Sequence, residues 1–353
     1  MIAFTQITPI RDEVVKKITI KDVAAQAGVS TAAVSRAFQA DGRIAEVTRD
    51  RVFQAARELD YRPSPIARGL AHQRSRLVTL LTGPAQSAFD VQFFDALTVA
   101  LAQTGRHLMV VNIGHESEVD DGLWQAIDYK SEAIIASAGT MSLESSSRCV
   151  SAGIPLILAG RALDAPGVTS VLAQNVEGGR LAGTLLARLA KGPLCFFGNG
   201  GRTFSDRERF EGFAGAIAEA GLPPPIEFAA PAGDETQLQR AAMDFLSSPD
   251  RPSAIFCAND GLAIAVLQAA MLLGLSVPDD LAVVGFDNVP MAGWPVFDLT
   301  TIDYPVAELV ENIIAAMGSD SVTEGHRVIR VPVRLVVRRT TPRALPAPGP
   351  VVS

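Results

Sequence analysis

The sequence predicts an α/β chain: a small all-α head built on a helix-turn-helix, then a two-lobed body of doubly wound parallel sheets. Three observations carry that expectation. The first is length, since 353 residues exceed one ordinary domain and point to two or three. The second is charge. Residues 16–76 hold 12 Lys+Arg against 6 Asp+Glu, a net of +6, whereas residues 77–353 hold 18 against 30, a net of −12. A basic head on an acidic body is the electrostatic footprint of a nucleic-acid module joined to something else. The third is periodicity: from Leu77 onward short apolar runs alternate with helical stretches, as in parallel sheets covered by helices on both faces.

Composition sets limits. Hydrophobic residues make up 48% and charged residues 20%, enough apolar material for packed cores and no case for bulk disorder. Three cysteines (Cys149, Cys195, Cys257), none in a CxxC pair, exclude a disulfide framework and a zinc knuckle. The four histidines, His72, His107, His115 and His326, show no metal-ligand spacing. No apolar run reaches the roughly 18 residues that a membrane span needs. Arg11-Asp12-Glu13 interrupts the first stretch before an export signal can form. The expectation is a soluble cytoplasmic protein without metal or cofactor.

Residues 18–28 read as a short helix, with Thr19 as its cap, Asp22 in the first turn to favour the dipole, and Gly28 to end it left-handed. Val29 fills the space before the next helix, which Ser30 caps and which covers residues 31–38. Two short helices joined through Ala27-Gly28-Val29-Ser30 make a helix-turn-helix, whose second helix enters the major groove. A third helix starts at Val47-Thr48-Arg49, sets Val52, Ala55, Ala56 and Leu59 on one stripe, and stops before Pro63. Ser64-Pro65 opens a further short helix to His72. Gly69 weakens it by about 1 kcal/mol, so it forms only with outside support.

In the body, strands are expected at 77–81, 108–112, 133–136, 156–158, 195–197, 254–257 and 282–284, with helices at 94–104, 178–189, 208–220, 238–246 and 262–272. Such sheets bind ligands at the carboxyl ends of their strands. The length from Leu77 onward is too great for one such sheet, so two lobes flanking a cleft is the economical solution. Polar residues stand where a cleft would be: Arg161, Arg209, Asn259-Asp260 and Asp287-Asn288. An arginine, an amide and a carboxylate converging there would chelate vicinal hydroxyls of a sugar. Each also has a plainer role: Asp287 capping a turn, Asn259 capping a helix, Arg209 pairing with Glu208 or Asp206 on the surface. Phe94, Leu97 and Leu101 fit either a dimer seam or the lobe's own core.

The stretches TIKDVAxxAGVSxxxVSR at 19–36, VTR at 47–49, LDYRP at 59–63 and ARGL at 67–70 resemble the lactose-repressor (LacI/GalR) family of transcription regulators. ERFEGF at 208–213, ANDxxA at 258–263, VPDDLAVVGFDN at 277–288 and LTTI at 299–302 are similar to its effector domain, which is periplasmic-binding-protein-like. The resemblance implies base contacts from Thr31, Ala32 and Arg36 and phosphate contacts near Lys21, Ser30, Ser35, Thr48 and Tyr61. It also implies a hinge helix carrying Ser64 and Ala67 that folds on DNA and wedges Leu70 into the minor groove. Arg36 is the candidate for a bidentate guanine contact, because Ala32 and Ala33 carry no hydrogen-bonding group. Effector contacts are implied for Phe93, as an apolar platform, and for Ser137, Arg161, Arg209, Asn259, Asp287 and Tyr304. Two departures stand out: Gln174-Asn175 replaces the family's aspartate-asparagine pair, and the loop 83–90 lacks its asparagine-proline.

The expected organisation is an arm or misassigned start at 1–15, the head at 16–62, the hinge at 63–76, the body at 77–340 and a disordered tail at 341–353. Lobe 1 takes 77–174 and 304–331, and lobe 2 takes 175–303 and 332–340. The function implied is that of a regulator, most naturally a repressor of carbohydrate catabolic or transport genes. It binds a palindromic operator as a homodimer, with tetramers open, under control of a sugar, polyol or sugar acid. A solute-binding protein shares the lobed body but not the basic head. An enzyme lacks a nucleophile or base: Gly198-Asn199-Gly200-Gly201 has neither GxGxxG spacing nor a following P-loop lysine, and GxSxG and HExxH are absent.

Overall fold

The computed structural model describes residues 18–39, 42–62, 75–83, 87–113, 119–137, 142–231, 235–318 and 325–342. The expected arm, the hinge residues Ser64, Ala67 and Leu70, and the tail beyond Pro342 lie outside them. The chain divides after Ser75 into two units.

The first unit packs three helices, α1 (Ile20–Ala27), α2 (Thr31–Ala37) and α3 (Glu46–Glu58), on a small core of Val23, Ala24, Ala27, Val34, Ala37, Val52, Ala55 and Ala56. The local signals read above place the boundaries. Asp22 accepts from both the backbone N–H and the hydroxyl of Thr19, so α1 starts at Ile20 rather than Ile18. Gly28 ends it at φ 63°. Ser30 Oγ accepts from the Ala33 N–H at 3.2 Å, closing the first turn of α2. Phe38 packs edge-on against Phe53 and Tyr61 and seals the open end of the bundle.

The second unit holds two six-stranded sheets. The first runs β11-β5-β4-β3-β1-β2, where β1 is Leu77–Thr82, β2 His107–Asn112, β3 Ala133–Ala136, β4 Leu156–Ala159, β5 Val168–Ala173 and β11 Arg327–Val331. All its strand pairs are parallel. The second runs β12-β10-β9-β8-β6-β7, with β6 Leu194–Gly198, β7 Ile226–Ala229, β8 Ala254–Cys257, β9 Ala282–Asp287, β10 Thr300–Asp303 and β12 Arg334–Val336. Only β12 is antiparallel. Helices cover the sheets: α4 (Ala88–Gln103), α5 (Val119–Asp128), α6 (Leu143–Ser151) and α11 (Val306–Ala316) belong with the first; α7 (Asn175–Leu189), α8 (Phe204–Glu219), α9 (Glu235–Leu246) and α10 (Asp260–Leu272) belong with the second. This is the fold class that the sequence predicts.

The chain passes between the sheets three times: from β5 to β6 through α7, from β10 through α11 to β11, and from β11 to β12. α7 and α8 lie backbone to backbone. A methyl group on Gly179 would collide with the Arg209 carbonyl, and one on Gly212 with the Val176 carbonyl. That contact fixes where the second turn of α8 stands. Leu97 and Leu101 are fully buried in the core, while Phe94 is 44% exposed. Leu97 and Leu101 thus take the core role of the two weighed for them, and Phe94 stays exposed.

Candidate functional site

At the carboxyl ends of the strands a cavity of about 250 Å³ opens between the lobes. The seven residues singled out as effector contacts, Phe93, Ser137, Arg161, Arg209, Asn259, Asp287 and Tyr304, all line it. Phe93 comes from α4, Ser137 follows β3 and Arg161 follows β4. Arg209 sits in the second turn of α8, Asn259 caps α10, Asp287 ends β9 and Tyr304 follows β10.

Arg209 is the centre of the polar set, and its surroundings correct the surface pairing weighed above. It is buried. Its Nε donates to Asn175 Oδ1 at 3.0 Å, its Nη1 to the Ala258 carbonyl, and its Nη2 faces Asp287 Oδ1 at 3.5 Å. Its guanidinium carbon lies 3.5 Å over the centre of the Phe286 ring. Asp206 instead turns inward to accept the backbone N–H groups of Asn199 and Gly201. The glycine-rich loop after β6 thus has its amides filled by the protein's own carboxylate, which removes them as a phosphate cradle.

Burial pushes the Asp287 carboxyl up to about 8; Arg209 pulls it down, and Asp260 and Asp90 push it further. Burial likewise lowers Arg209, against the pull of Asp287. Asp287 sits at φ 110°, outside ordinary side-chain backbone, and Asn288 at φ 55°. The turn is held there because Asn288 donates to Asp303 Oδ1 and accepts from Arg338 Nη2, each at 2.8 Å. Asn259 does cap a helix, accepting from the Leu262 N–H at 2.9 Å, and still lines the cavity.

A stacked aromatic pair also lines the cavity. Phe89 stacks on Tyr304 with centroids 5.0 Å apart and planes 12° from parallel, whereas Phe93 is a buried core residue with one edge on the cavity. The Tyr304 hydroxyl is buried near the Ala173 backbone without a well-formed hydrogen bond, and burial raises its pKa. Ser137 gives its carbonyl to Arg161 Nη2 at 3.4 Å. Sequence reasoning marked Asp260 as a strand-end polar residue and Asn175 as part of a departure, but put neither of them, nor Phe89, among the contacts. Asp260 is fully buried beneath Asp287 and accepts from Thr301 Oγ1 at 2.6 Å and the Val289 N–H at 2.9 Å. A larger cavity of about 400 Å³ is lined by Leu267, Met271, Val296 and Phe297, and its one cation, Arg339, is already paired with Asp298. No comparable set of polar side chains converges there.

In the first unit, Thr31, Ala32 and Arg36 lie exposed on α2, with Ser35 half-buried beside them. Lys21 and Ser30 are exposed and Thr48 is half-buried. Tyr61 is half-buried against Phe38, so packing takes part of the ring that was expected beside a phosphate.

A helix-turn-helix unit followed on one chain by a two-lobed α/β body with a polar cavity at its strand ends defines a regulator that joins a DNA-reading module to a small-molecule sensor. Residues 19–64 match the family of bacterial regulatory proteins, lacI family, and residues 194–341 match the periplasmic binding protein-like domain. The chain thus carries a lacI-family helix-turn-helix domain and a periplasmic-binding-protein-like domain, and the relatives it is similar to are regulators of that kind. It is 28% identical over 332 residues to the HTH-type transcriptional regulator DegA of Bacillus subtilis, covering 92% of this chain and 98% of that one. Its fold is similar to the Lac repressor dimer bound to operator and the anti-inducer ONPF, at TM-score 0.78, 23% identity and 92% and 99% coverage. It is also similar to the CelR–cellobiose complex, at TM-score 0.65, 22% identity and 92% and 100% coverage. Among the described residues, no helix is long and apolar enough to cross a membrane.

Proposed function

We propose that this regulator binds a palindromic operator as a homodimer in the cytoplasm and changes its operator affinity when a sugar, polyol or sugar acid enters the cavity between the lobes. The observation that carries the reading is the convergence of Arg209, Asp287, Asn259 and the stacked Phe89–Tyr304 pair on one cavity. Carboxylate, amide and guanidinium groups supply directional bonds to hydroxyls, and a flat aromatic pair suits the apolar face of a sugar ring. The cellobiose held by CelR supports a carbohydrate class. On α2, Arg36 is the proposed guanine reader, Thr31 and Ala32 the neighbouring base contacts, and Lys21, Ser30, Ser35, Thr48 and Tyr61 the phosphate side. Ser64, Ala67 and Leu70 are the proposed hinge contacts. The dimer reading draws on the exposed Val91, Phe94 and Val99 of α4.

A thermal-shift screen over sugars, polyols and sugar acids tests the sensor, because a ligand at 100 times its dissociation constant stabilises by about 2.7 kcal/mol. A gel shift on DNA upstream of the regulator's own gene tests the reader. Arg36→Ala should cost about 1–3 kcal/mol and relax one base position, while Lys21→Ala should weaken all sequences alike. A chain that binds no member of the screen, or an Arg36→Ala variant with unchanged site preference, would overturn the respective half.

A further inference from the structure

One polar connection outside the cavity spans the two lobes. Arg330, on the edge strand β11 of the first sheet, points both terminal nitrogens at Glu208 of α8 in the second lobe: Nη2 to Oε1 at 2.8 Å and Nη1 to Oε2 at 3.2 Å. Glu208 Oε2 also accepts from Asn175 Nδ2 at 3.0 Å, and Asn175 Oδ1 accepts from Arg209 Nε at 3.0 Å. The Glu208 side chain is 13% exposed and Arg330 40%. Neither lines the cavity, so neither would touch a ligand in it.

The Asn175 amide makes this more than a surface ion pair. Its two ends are chemically opposite, a double donor and an acceptor. With Nδ2 bound to the Glu208 carboxylate, Oδ1 must face Arg209, which is the only orientation that accepts the guanidinium N–H. Without that carboxylate the amide is free to rotate and set N–H against N–H. Two-pronged guanidinium–carboxylate pairing fixes an angle as well as a distance, so Arg330 sets how the Glu208 carboxylate presents its oxygens.

We propose that Glu208 is a positioning residue: held across the lobes by Arg330, it sets the Asn175 amide and through it the plane of Arg209, so the cavity's central arginine reads lobe closure. Its importance for sensing rests on the effector reading above; its test does not. The full-length protein, labelled with ¹⁵N-arginine, gives an Arg209 Nε–H resonance, assigned by its loss in Arg209→Lys and displaced by the Phe286 ring current. Arg330→Ala, at an exposed edge, should shift that resonance and speed its exchange with solvent about tenfold, as loss of a local hydrogen bond does. Arg330→Lys keeps the charge without the fork and should fall between. Glu208→Gln should shift the resonance as Arg330→Ala does. Arg180→Ala, which breaks only the exposed pair with Glu177, should leave the resonance in place. An unmoved Arg209 signal in Arg330→Ala overturns the proposal whatever happens to the melting temperature, and so does an equal shift in Arg180→Ala. Because no ligand is needed, failure to find a bound sugar counts against the effector reading alone.

Discussion

Arg209 and Asp287 show what burial does to a residue read as a ligand contact. Both are under one-tenth exposed, so removing one strands the other away from water. Arg209→Ala should therefore lower stability by about 3–5 kcal/mol. Asp287→Asn should cost clearly less, since burial already pushes the Asp287 carboxyl up to about 8 and an amide resembles its neutral form. Urea midpoints of the two variants at pH 7 check the order; a smaller loss for Arg209→Ala would contradict the buried pairing. Asp260 makes a pH prediction. Burial raises its carboxyl to about 7 against the pull of its Thr301 and Val289 hydrogen bonds. A raised folded-state pKa means the native state holds the proton more tightly, so its stabilisation is present below about pH 4 and lost as pH rises through about 7. Asp260→Asn should flatten the fall in stability between those pH values, measured by urea unfolding across the range. The resemblance implied all seven of these cavity-lining residues, and the polar positions after apolar runs pointed independently only to Arg161, Asn259 and Asp287 among them. Neither signal made contacts of Asn175 and Asp260, whose partners, Glu208 and Thr301, are remote in sequence.

At the scale of elements, strands made mostly of large apolar residues were legible, even with one buried hydroxyl such as Thr79, and strands with two adjacent hydroxyl residues were not. Val168–Ala173 and Thr300–Asp303 are fully buried, yet Thr169, Ser170, Thr300 and Thr301 interrupt their apolar pattern. Three of those groups are satisfied over long range: Ser170 by His326, Thr300 by Thr341, and Thr301 by Asp260. A short stretch of sequence cannot display such partners. The edge strands Ile226–Ala229 and Arg327–Val331 were missed for the opposite reason, since exposure lets charges into them. The α7–α8 contact yields a prediction here. Gly179→Ala sets a methyl group against the Arg209 carbonyl. It should destabilise by about 1–3 kcal/mol or more through overpacking, whereas Gly215→Ala on the same helix pair, with open space at its Cβ, should not. Equal melting temperatures for the two variants would show that the helices can part without penalty.

For the whole molecule, charge separation matters more than net charge. The head and hinge region carry +6 and the remainder from Leu77 carries −12, so operator affinity should fall steeply with salt while ligand binding in the cavity should barely change. Titrating both across a salt series checks this; parallel slopes would mean that the body, too, binds phosphates. The three passages between the sheets have a consequence for synthesis. The first sheet takes its outer strand, Arg327–Val331, from a part of the chain made after nearly all of the second sheet. The lobe that leaves the ribosome first must therefore wait, with β5 open along one side, while its neighbour is translated. A nascent chain is thus exposed to strand pairing with other polypeptides while residues 174–326 are made, and the last stretch translated closes both sheets almost together, β11 on one and β12 on the other.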